Sequence, residues 1–298
     1  MSSERRQIAE LAERYRVEPS LRDVYVEGST DRHFLEWFLL DNQCDGAVVY
    51  EIQTVDVPRV VLERHGFERG NRGRLLALGY ELAASLGENT NQVTCVVDRD
   101  WDSILAPAAY SALTLLTDGS CLEAYLFNQE CLRKLFGLCL RANWEVTSDF
   151  IGELSSVLRR LYCIRAANKD QGLGVQWIDF TRWCHLEGTS VQFGFEEFLS
   201  AYLVTAGGAA LRRAFQVRVL ELEKRCTGDY RLYLNGHDFV QLLAWFVSAS
   251  GLRYEKGRKG SHQQYSPDEL ERMLLGCVES RVLAACPMCV SLLSRLSE

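Results

Sequence analysis

Four acids stand where the residue pattern turns from β to α. The stretch "LRDVYVEGSTDRHFLEWFLL" (21–40) ends an apolar run on Glu27 and Gly28, then places Asp31 four residues after Glu27. A bare carboxylate costs free energy wherever it is even partly buried, so something must offset that cost. The stretch "VTCVVDRDWD" (93–102) ends a second apolar run on Asp98 and Asp100. Residues i and i+2 of a strand share a face, so these two are expected to point at one site. Asp31, one helical turn beyond Glu27, can reach the same spot. Such a cluster repels itself unless a cation binds, and hard oxygen ligands with room for water suit Mg²⁺ or Mn²⁺. A cation held this way does phosphoryl chemistry: it activates a water or hydroxyl and stabilises charge on the phosphate. The simpler alternative is an acid that caps the following helix or turn, and that is the reading for Asp102. The metal reading gains from the pairing of a strand–EG–helix unit with an apolar strand–DxD unit about 70 residues later.

The elements that must position these acids follow from residue periodicity. "DVYVEG" (23–28), "AVVYEIQTV" (47–55), "QVTCVVDRD" (92–100) and "LTLLTD" (113–118) read as strands rich in β-branched residues. "STDRHFLEWFLLDN" (29–42) reads as a helix capped by Ser29 or Thr30, with Phe34, Leu35, Phe38 and Leu39 on one face. "NRGRLLALGYELAASLG" (71–87) reads as another helix, with Gly87 as its stop. The N-terminal segment reads as a short amphipathic helix using Ile8, Leu11, Ala12 and Tyr15. Strands alternating with helices favour a parallel sheet with right-handed crossovers. Ligands bind beyond the carboxyl ends of such strands. The expected order is 2-1-3-4, because only neighbouring strands one and three bring Glu27 near Asp98. From residue 121 the pattern becomes helical: 121–138, 149–167, 209–226, 236–249 and 267–285 all show helical apolar spacing. The expectation is an α/β domain over 1–120 and a mainly helical region over 121–298, with soft connections at 167–174 and 254–269.

Composition narrows the class. The chain has 298 residues, 47% of them hydrophobic, enough for a substantial core. No apolar run is long enough to span a membrane and the first residues lack the apolar core of a secretion signal, so a cytoplasmic location is expected. The net charge of −7 argues against a passive nucleic-acid coat but leaves room for an enzyme acting on nucleic acid. Local basic clusters exist at Arg69, Arg72 and Arg74, at Arg159 and Arg160, at Arg212 and Arg213, and at Lys256, Arg258 and Lys259. Each reads first as a solvated surface group. The eleven cysteines are scattered, and those in apolar runs, such as Cys95 and Cys163, read as small core residues. Cys286 and Cys289 form the one close pair, without two further ligands at zinc spacing. His33 reads as a solvent-facing helix residue and His237 as a helix-start residue. No GxxxxGK[ST] loop occurs, so any ATP hydrolysis must come from a partner.

With these motifs in view, "VYVEGSTDRHF" followed by "VTCVVDRDWD" resembles a TOPRIM domain, the catalytic fold of topoisomerases, primases and OLD-type nucleases. "VEGSTDRHFLEWF", "LLTDGSCLEAYLFN" and "LNGHDFVQLLAWF" resemble a narrower branch: TOPRIM-like nucleases associated with ABC-type ATPases in bacterial anti-phage defence, such as the toxin subunits of PARIS-type systems. The resemblance covers 21–40 and 93–128 most fully and 230–250 more loosely. It implies a TOPRIM-like Rossmannoid sheet in which Glu27, Asp98 and Asp100 are metal ligands. It also implies that Glu27 is a general base or acid, Gly28 gives a tight turn, and Asp31 is the second acid of an "EGxxE/D" pattern. Glu123, in "CLEAYLFN", is then a metal ligand or a structural partner. A basic residue should steady the scissile phosphate, with Arg99, Arg165, Lys169 and Lys259 as candidates. The implied activity is Mg²⁺-dependent endonucleolytic cleavage by a toxic effector released from an ATPase partner, on RNA (tRNA) ahead of DNA. A DNA endonuclease of OLD type and a catalytically idle scaffold that regulates a partner are the alternatives. The apolar C-terminal helices would also serve a homodimer. Topoisomerase and primase chemistry are disfavoured, since no tyrosine nucleophile and no preceding zinc module are marked.

Overall fold

A computed structural model describes residues 5–142, 144–204, 209–252 and 265–297. Apart from a two-residue parallel pairing of Arg6–Gln7 with Val55–Asp56, the main elements of the chain begin α1 (Ile8–Val17), β1 (Arg22–Val26), α2 (Ser29–Asp41), β2 (Ala47–Glu51), α3 (Arg59–His65), α4 (Asn71–Leu86), β3 (Val93–Val97) and β4 (Thr114–Leu116). It continues through α5 (Gln129–Lys134), α6 (Ser148–Asp170), the strands β5 (Cys184–Glu187) and β6 (Ser190–Phe193), α7 (Phe195–Tyr202) and α8 (Ala209–Glu223). The last helices are α9 (Gly236–Ala249), α10 (Pro267–Leu275), α11 (Ser280–Leu283) and α12 (Pro287–Ser297). No described helix is long and apolar enough to cross a membrane. The protein is a mixed α/β chain with a parallel sheet.

Contacts divide it into two compact units, one formed by 1–99, 108–118 and 279–298, the other by 100–107 and 119–278. A single cut at residue 120 does not describe this division. Residues 279–298 return to the first unit for a physical reason. Asp118, just beyond β4, accepts hydrogen bonds from the Met288 N–H at 3.1 and 3.2 Å, in the first turn of α12. A carboxylate at a helix N-terminus pairs with otherwise orphaned N–H groups and with the helix dipole. Asn42, at the end of α2, donates to the Ser280 hydroxyl at 2.8 Å.

In the first unit, β1–β4 form a sheet of order β2-β1-β3-β4, all pairs parallel. Every residue of β3 is buried, as a central strand with two covered faces requires. Leu11, Ala12 and Tyr15 of α1 join Leu75, Leu76, Leu78 and Leu82 of α4 in one core with Tyr25, Cys95 and Val97. Phe34, Leu35, Phe38 and Leu39 are the buried face of α2. Near the start of β1 lies Asp23, 1% exposed. It accepts from the Tyr15 hydroxyl at 2.7 Å and from Arg14 at 3.2 Å, which ties α1 to the sheet. Burial pushes the Asp23 carboxyl up, against the opposing pull of those two donors.

In the second unit, α6 packs along α8, and α9 along α10. Phe136, Trp144, Phe150 and Phe246 meet as an aromatic cluster. The helix expected over 121–138 is broken. A 3₁₀ turn (Leu122–Tyr125) comes first, Asn128 then caps α5 by accepting from the Cys131 N–H, and the chain loosens to a π turn over Leu135–Cys139. The helix expected over 267–285 likewise divides, into α10 and α11. The hairpin of β5 and β6 carries Gly188 at φ +65°, a left-handed turn position that glycine takes without strain. Most of the loop expected at 254–269, with Lys256, Arg258 and Lys259, lies outside the described residues.

Asp118→Ala removes the acceptor at the first turn of α12. The expected loss is about 1–2 kcal/mol, read as a lower midpoint of thermal unfolding, with Asp118→Asn falling between the two proteins.

Candidate functional site

The carboxyl ends of β1 and β3 are adjacent because those strands pair directly, with Tyr25 opposite Cys95. Glu27 follows β1 and Asp98 follows β3. The Glu27 Oε1 accepts from the Asp98 N–H at 3.4 Å, so the glutamate side chain reaches across to the neighbouring strand end. Both residues are half-buried. The first turn of α4 fixes this pair from one side. Asn71 donates its side-chain amide to the Glu27 carbonyl at 2.8 Å, and Arg72 donates Nε to the Asp98 carbonyl at 3.1 Å. Arg72 also donates to the Tyr110 hydroxyl at 3.2 Å. Gly73 lets that turn close. A Cβ there would stand 2.0 Å from the Glu68 carbonyl oxygen, a separation no side chain tolerates. Within the "ERGNRGR" cluster Arg69 is exposed, as expected, but Arg72 and Arg74 are not solvated surface groups. Arg72 serves the strand ends, and Arg74 donates to the Val55 carbonyl at 2.6 Å. Asn71 was not among the sequence candidates; the signal was a polar pair opening an apolar helix directly after a glycine.

Other expected residues take different places. Asp31 accepts from the Gly28 N–H at 3.0 Å, a capping contact within the first turn of α2. Gly28 forms no glycine-demanding turn: its φ of −145° is extended, and a Cβ there would meet Asp31 at an ordinary 3.8 Å. Asp98 and Asp100 do not share a strand face, because β3 ends at Val97 and Asp100 turns into the left-handed region at φ +48°. The period-two argument does not survive that turn. An aspartate tolerates this conformation better than most residues. Here the backbone is held on both sides: the Asp100 N–H donates to the Ser120 carbonyl at 2.8 Å, and its carbonyl accepts from the Tyr162 hydroxyl. Asp100 and Asp102 belong to the second unit.

Glu123 also lies in the second unit, against the start of α9. A Cβ on Gly236 would stand 2.3 Å from its Oε2, so the carboxylate fills the space that glycine leaves. The carboxyl of Glu271 is pushed up, first by burial and then by the neighbouring Glu123 charge. This position beside the first residue of α9 is compatible with a structural partner, one of the two readings expected for Glu123.

Of the basic candidates, Arg165 makes two 2.7 Å hydrogen bonds to Asp238, which is 1% exposed, and its guanidinium stacks 3.7 Å from the Trp177 ring centroid. Arg99 donates to the Thr117 carbonyl at 3.1 Å. Lys169 is exposed and lies 4.9 Å from the Trp101 ring centroid. Lys259 lies outside the described residues. His33 and His237 are exposed, the latter as the second residue of α9. Cys289 is buried, its thiol pushed up to about 12 by that burial, and the Cys286 thiol donates to the Val282 carbonyl at 3.6 Å.

Among the described residues, no three His, Cys, Asp or Glu side chains gather closely enough to hold a metal ion by themselves. What the first unit brings together is Glu27 and Asp98. Mg²⁺ takes one or two protein carboxylates and completes its shell with water and substrate phosphate, so this pair of hard oxygen donors fits such an ion in kind. A cavity of about 390 Å³ in the second unit is lined by Trp144, Glu145, Thr147, Asp149, Phe150, Glu153 and Thr189, none of them a candidate carboxylate.

Arg165→Ala leaves the Asp238 carboxylate buried without its partner. A loss of about 3–5 kcal/mol in unfolding free energy is expected, measured by denaturant titration, and Arg165→Lys should recover only part of it because lysine lacks the fork. Arg72→Ala should cost about 1.5–3 kcal/mol, as a charged donor to a half-buried carbonyl is lost. No family model matches this chain, and no curated protein matches it.

Proposed function

We propose that this chain is a Mg²⁺-dependent endonuclease of TOPRIM-like architecture that acts as a toxic effector in anti-phage defence. In this reading it cleaves RNA, with tRNA as the favoured substrate, when an ABC-type ATPase partner releases it. The observation that carries the proposal is the position of Glu27 and Asp98 at the carboxyl ends of two directly paired parallel strands, with Glu27 Oε1 at 3.4 Å from the Asp98 N–H. Ligands of open parallel sheets bind beyond those ends. The sequence resemblance supplies the substrate class and the partner.

The roles follow from the side chains. Glu27 and Asp98 are the oxygen ligands. A Mg²⁺ ion held by them would supply an activated water and charge neutralisation on the phosphate and leaving oxygen. In this reading Glu27 takes or returns a proton near the Asp98 strand end. Asn71 and Arg72 hold the two strand-end carbonyls, which keeps the carboxylates from drifting apart when a cation is lost. The positive end of α4 and the Arg72 charge lower the cost of keeping two acids close together. Asp31 keeps the first turn of α2 closed, so that Glu27 leaves β1 in one direction. Asp100 and Glu123 remain proposed metal ligands from the sequence resemblance alone.

Glu27→Gln tests the assignment, because it keeps an acceptor for the Asp98 N–H and removes the charge. The purified chain is incubated with total tRNA or with plasmid DNA, in Mg²⁺ or in EDTA. Cleavage should need Mg²⁺, and the variant should fall at least about 100-fold with an unchanged thermal midpoint. Equal cleavage by the variant would remove Glu27 from the site. Cutting of plasmid alone would move the substrate to DNA, and binding to a partner without cutting would favour the idle scaffold.

A further inference from the structure

Cys139 is the one exposed cysteine among the described residues. It ends the π turn of Leu135–Cys139, and its Sγ lies 3.7 Å from the Sγ of Cys277, just past α10. Cys277 is 5% exposed. Its backbone is held in place: its carbonyl accepts from Lys134 Nζ at 3.4 Å and from the Cys131 thiol at 3.8 Å. An accessible sulfur thus meets a fixed, shielded one. Burial pushes the Cys277 thiol up to about 12, and its 5% exposure makes it the less accessible of the two sulfurs to an oxidant. A second contact, Cys163 to Cys226 at 3.5 Å, has both partners buried and no exposed sulfur to start the chemistry.

We propose that Cys139 and Cys277 form a reversible disulfide when the protein meets a hydroperoxide. The Cys139 thiolate sulfur attacks one oxygen of the peroxide, the O–O bond breaks, and hydroxide leaves and is protonated to water. Cys139 is now a sulfenic acid. The Cys277 sulfur attacks the Cys139 sulfur, the S–O bond breaks, the S–S bond forms, and the departing hydroxide takes the Cys277 proton. The balance is two thiols and one hydrogen peroxide giving one disulfide and two waters. A shift of less than 2 Å brings the sulfurs from contact to bonding distance. The π turn carrying Cys139 is looser than an α-helical turn and can supply that shift. The product closes a loop of 138 residues inside the second unit. A crosslink over so long a loop restrains the unfolded chain strongly, so oxidation stiffens this unit against unfolding.

The test is intact mass and peptide mapping of the folded full chain after treatment with hydrogen peroxide, followed by blocking of free thiols. The wild type should lose two hydrogens, show one linked Cys139–Cys277 peptide, and regain both thiols with dithiothreitol. Its thermal midpoint should rise on oxidation. Cys139→Ser, an exposed change that leaves the core intact, should abolish the link and the rise; Cys277→Ser should leave Cys139 trapped as a sulfenic acid that dimedone labels. The proposal is overturned if Cys139→Ser still loses two hydrogens at the wild-type rate. It is equally overturned if wild-type Cys139 is oxidised beyond the sulfenic acid while Cys277 stays free, or if Cys163 and Cys226 link instead.

Discussion

The grip of α4 on two strand ends governs the first unit. Asn71 and Arg72 take the carbonyls of Glu27 and Asp98, the last groups before the chain leaves the sheet. Without such donors these carbonyls would face the crevice with no neighbouring strand to bond, and the two side chains would point wherever their loops relaxed. The same contacts set the electrostatics. A guanidinium and the first turn of a helix bond the backbone of the two acidic residues, so the cost of placing acids there is offset partly by the chain itself. The Asp98 N–H for Glu27 and the Gly28 N–H for Asp31 add to that offset. Any cation bound at this place would meet a frame already built for negative charge.

The opposite end of β1 is fixed by a different device. Asp23 is buried with one hydroxyl and one guanidinium donor from α1, and Tyr15 and Tyr25 share their hydroxyls at 3.0 Å. Both ends of β1 are thus tied to helices by polar side chains, while its middle is packed in the core. A sheet anchored at both ends transmits little motion to its strand tips, which suits a site that must hold charged groups at fixed separations.

Much of the first unit was legible because its signals are local and strong. Four β-branched runs separated by amphipathic helices gave the strands, and Phe34, Leu35, Phe38 and Leu39 gave the buried face of α2. The adjacency of the first and third strands followed from the need to bring Glu27 near Asp98. What could not be read depends on single dihedral angles or on distant partners. One left-handed residue, Asp100, ends the period-two logic that assigned it a shared face with Asp98. Gly28 looked like a turn glycine and sits in an extended conformation. Arg165 looked available to a phosphate, yet its partner Asp238 lies 73 residues away. The hairpin at 184–193 had only short alternation and one glycine to announce it. The break at Asn128 was concealed because apolar spacing continues through the 3₁₀ turn, α5 and the π turn.

The return of α12 to the first unit bears on the order in which the protein is made. During synthesis β1, β2 and β3 precede β4, and the residue just beyond β4, Asp118, waits for a helix partner 170 residues further along the chain. The inserted second unit is complete before that helix appears. The unit that carries Glu27 and Asp98 therefore closes after the second unit has been made, although its first strand precedes that unit in the chain. Long sequence separation of this kind slows folding, since the ends must find each other before their contacts contribute. A chain released early, or shortened before Pro287, would present the β4 edge of the sheet without its cover and Asp118 without the helix it caps. Such a chain would keep every candidate carboxylate in its sequence and lack the finished scaffold that orients them.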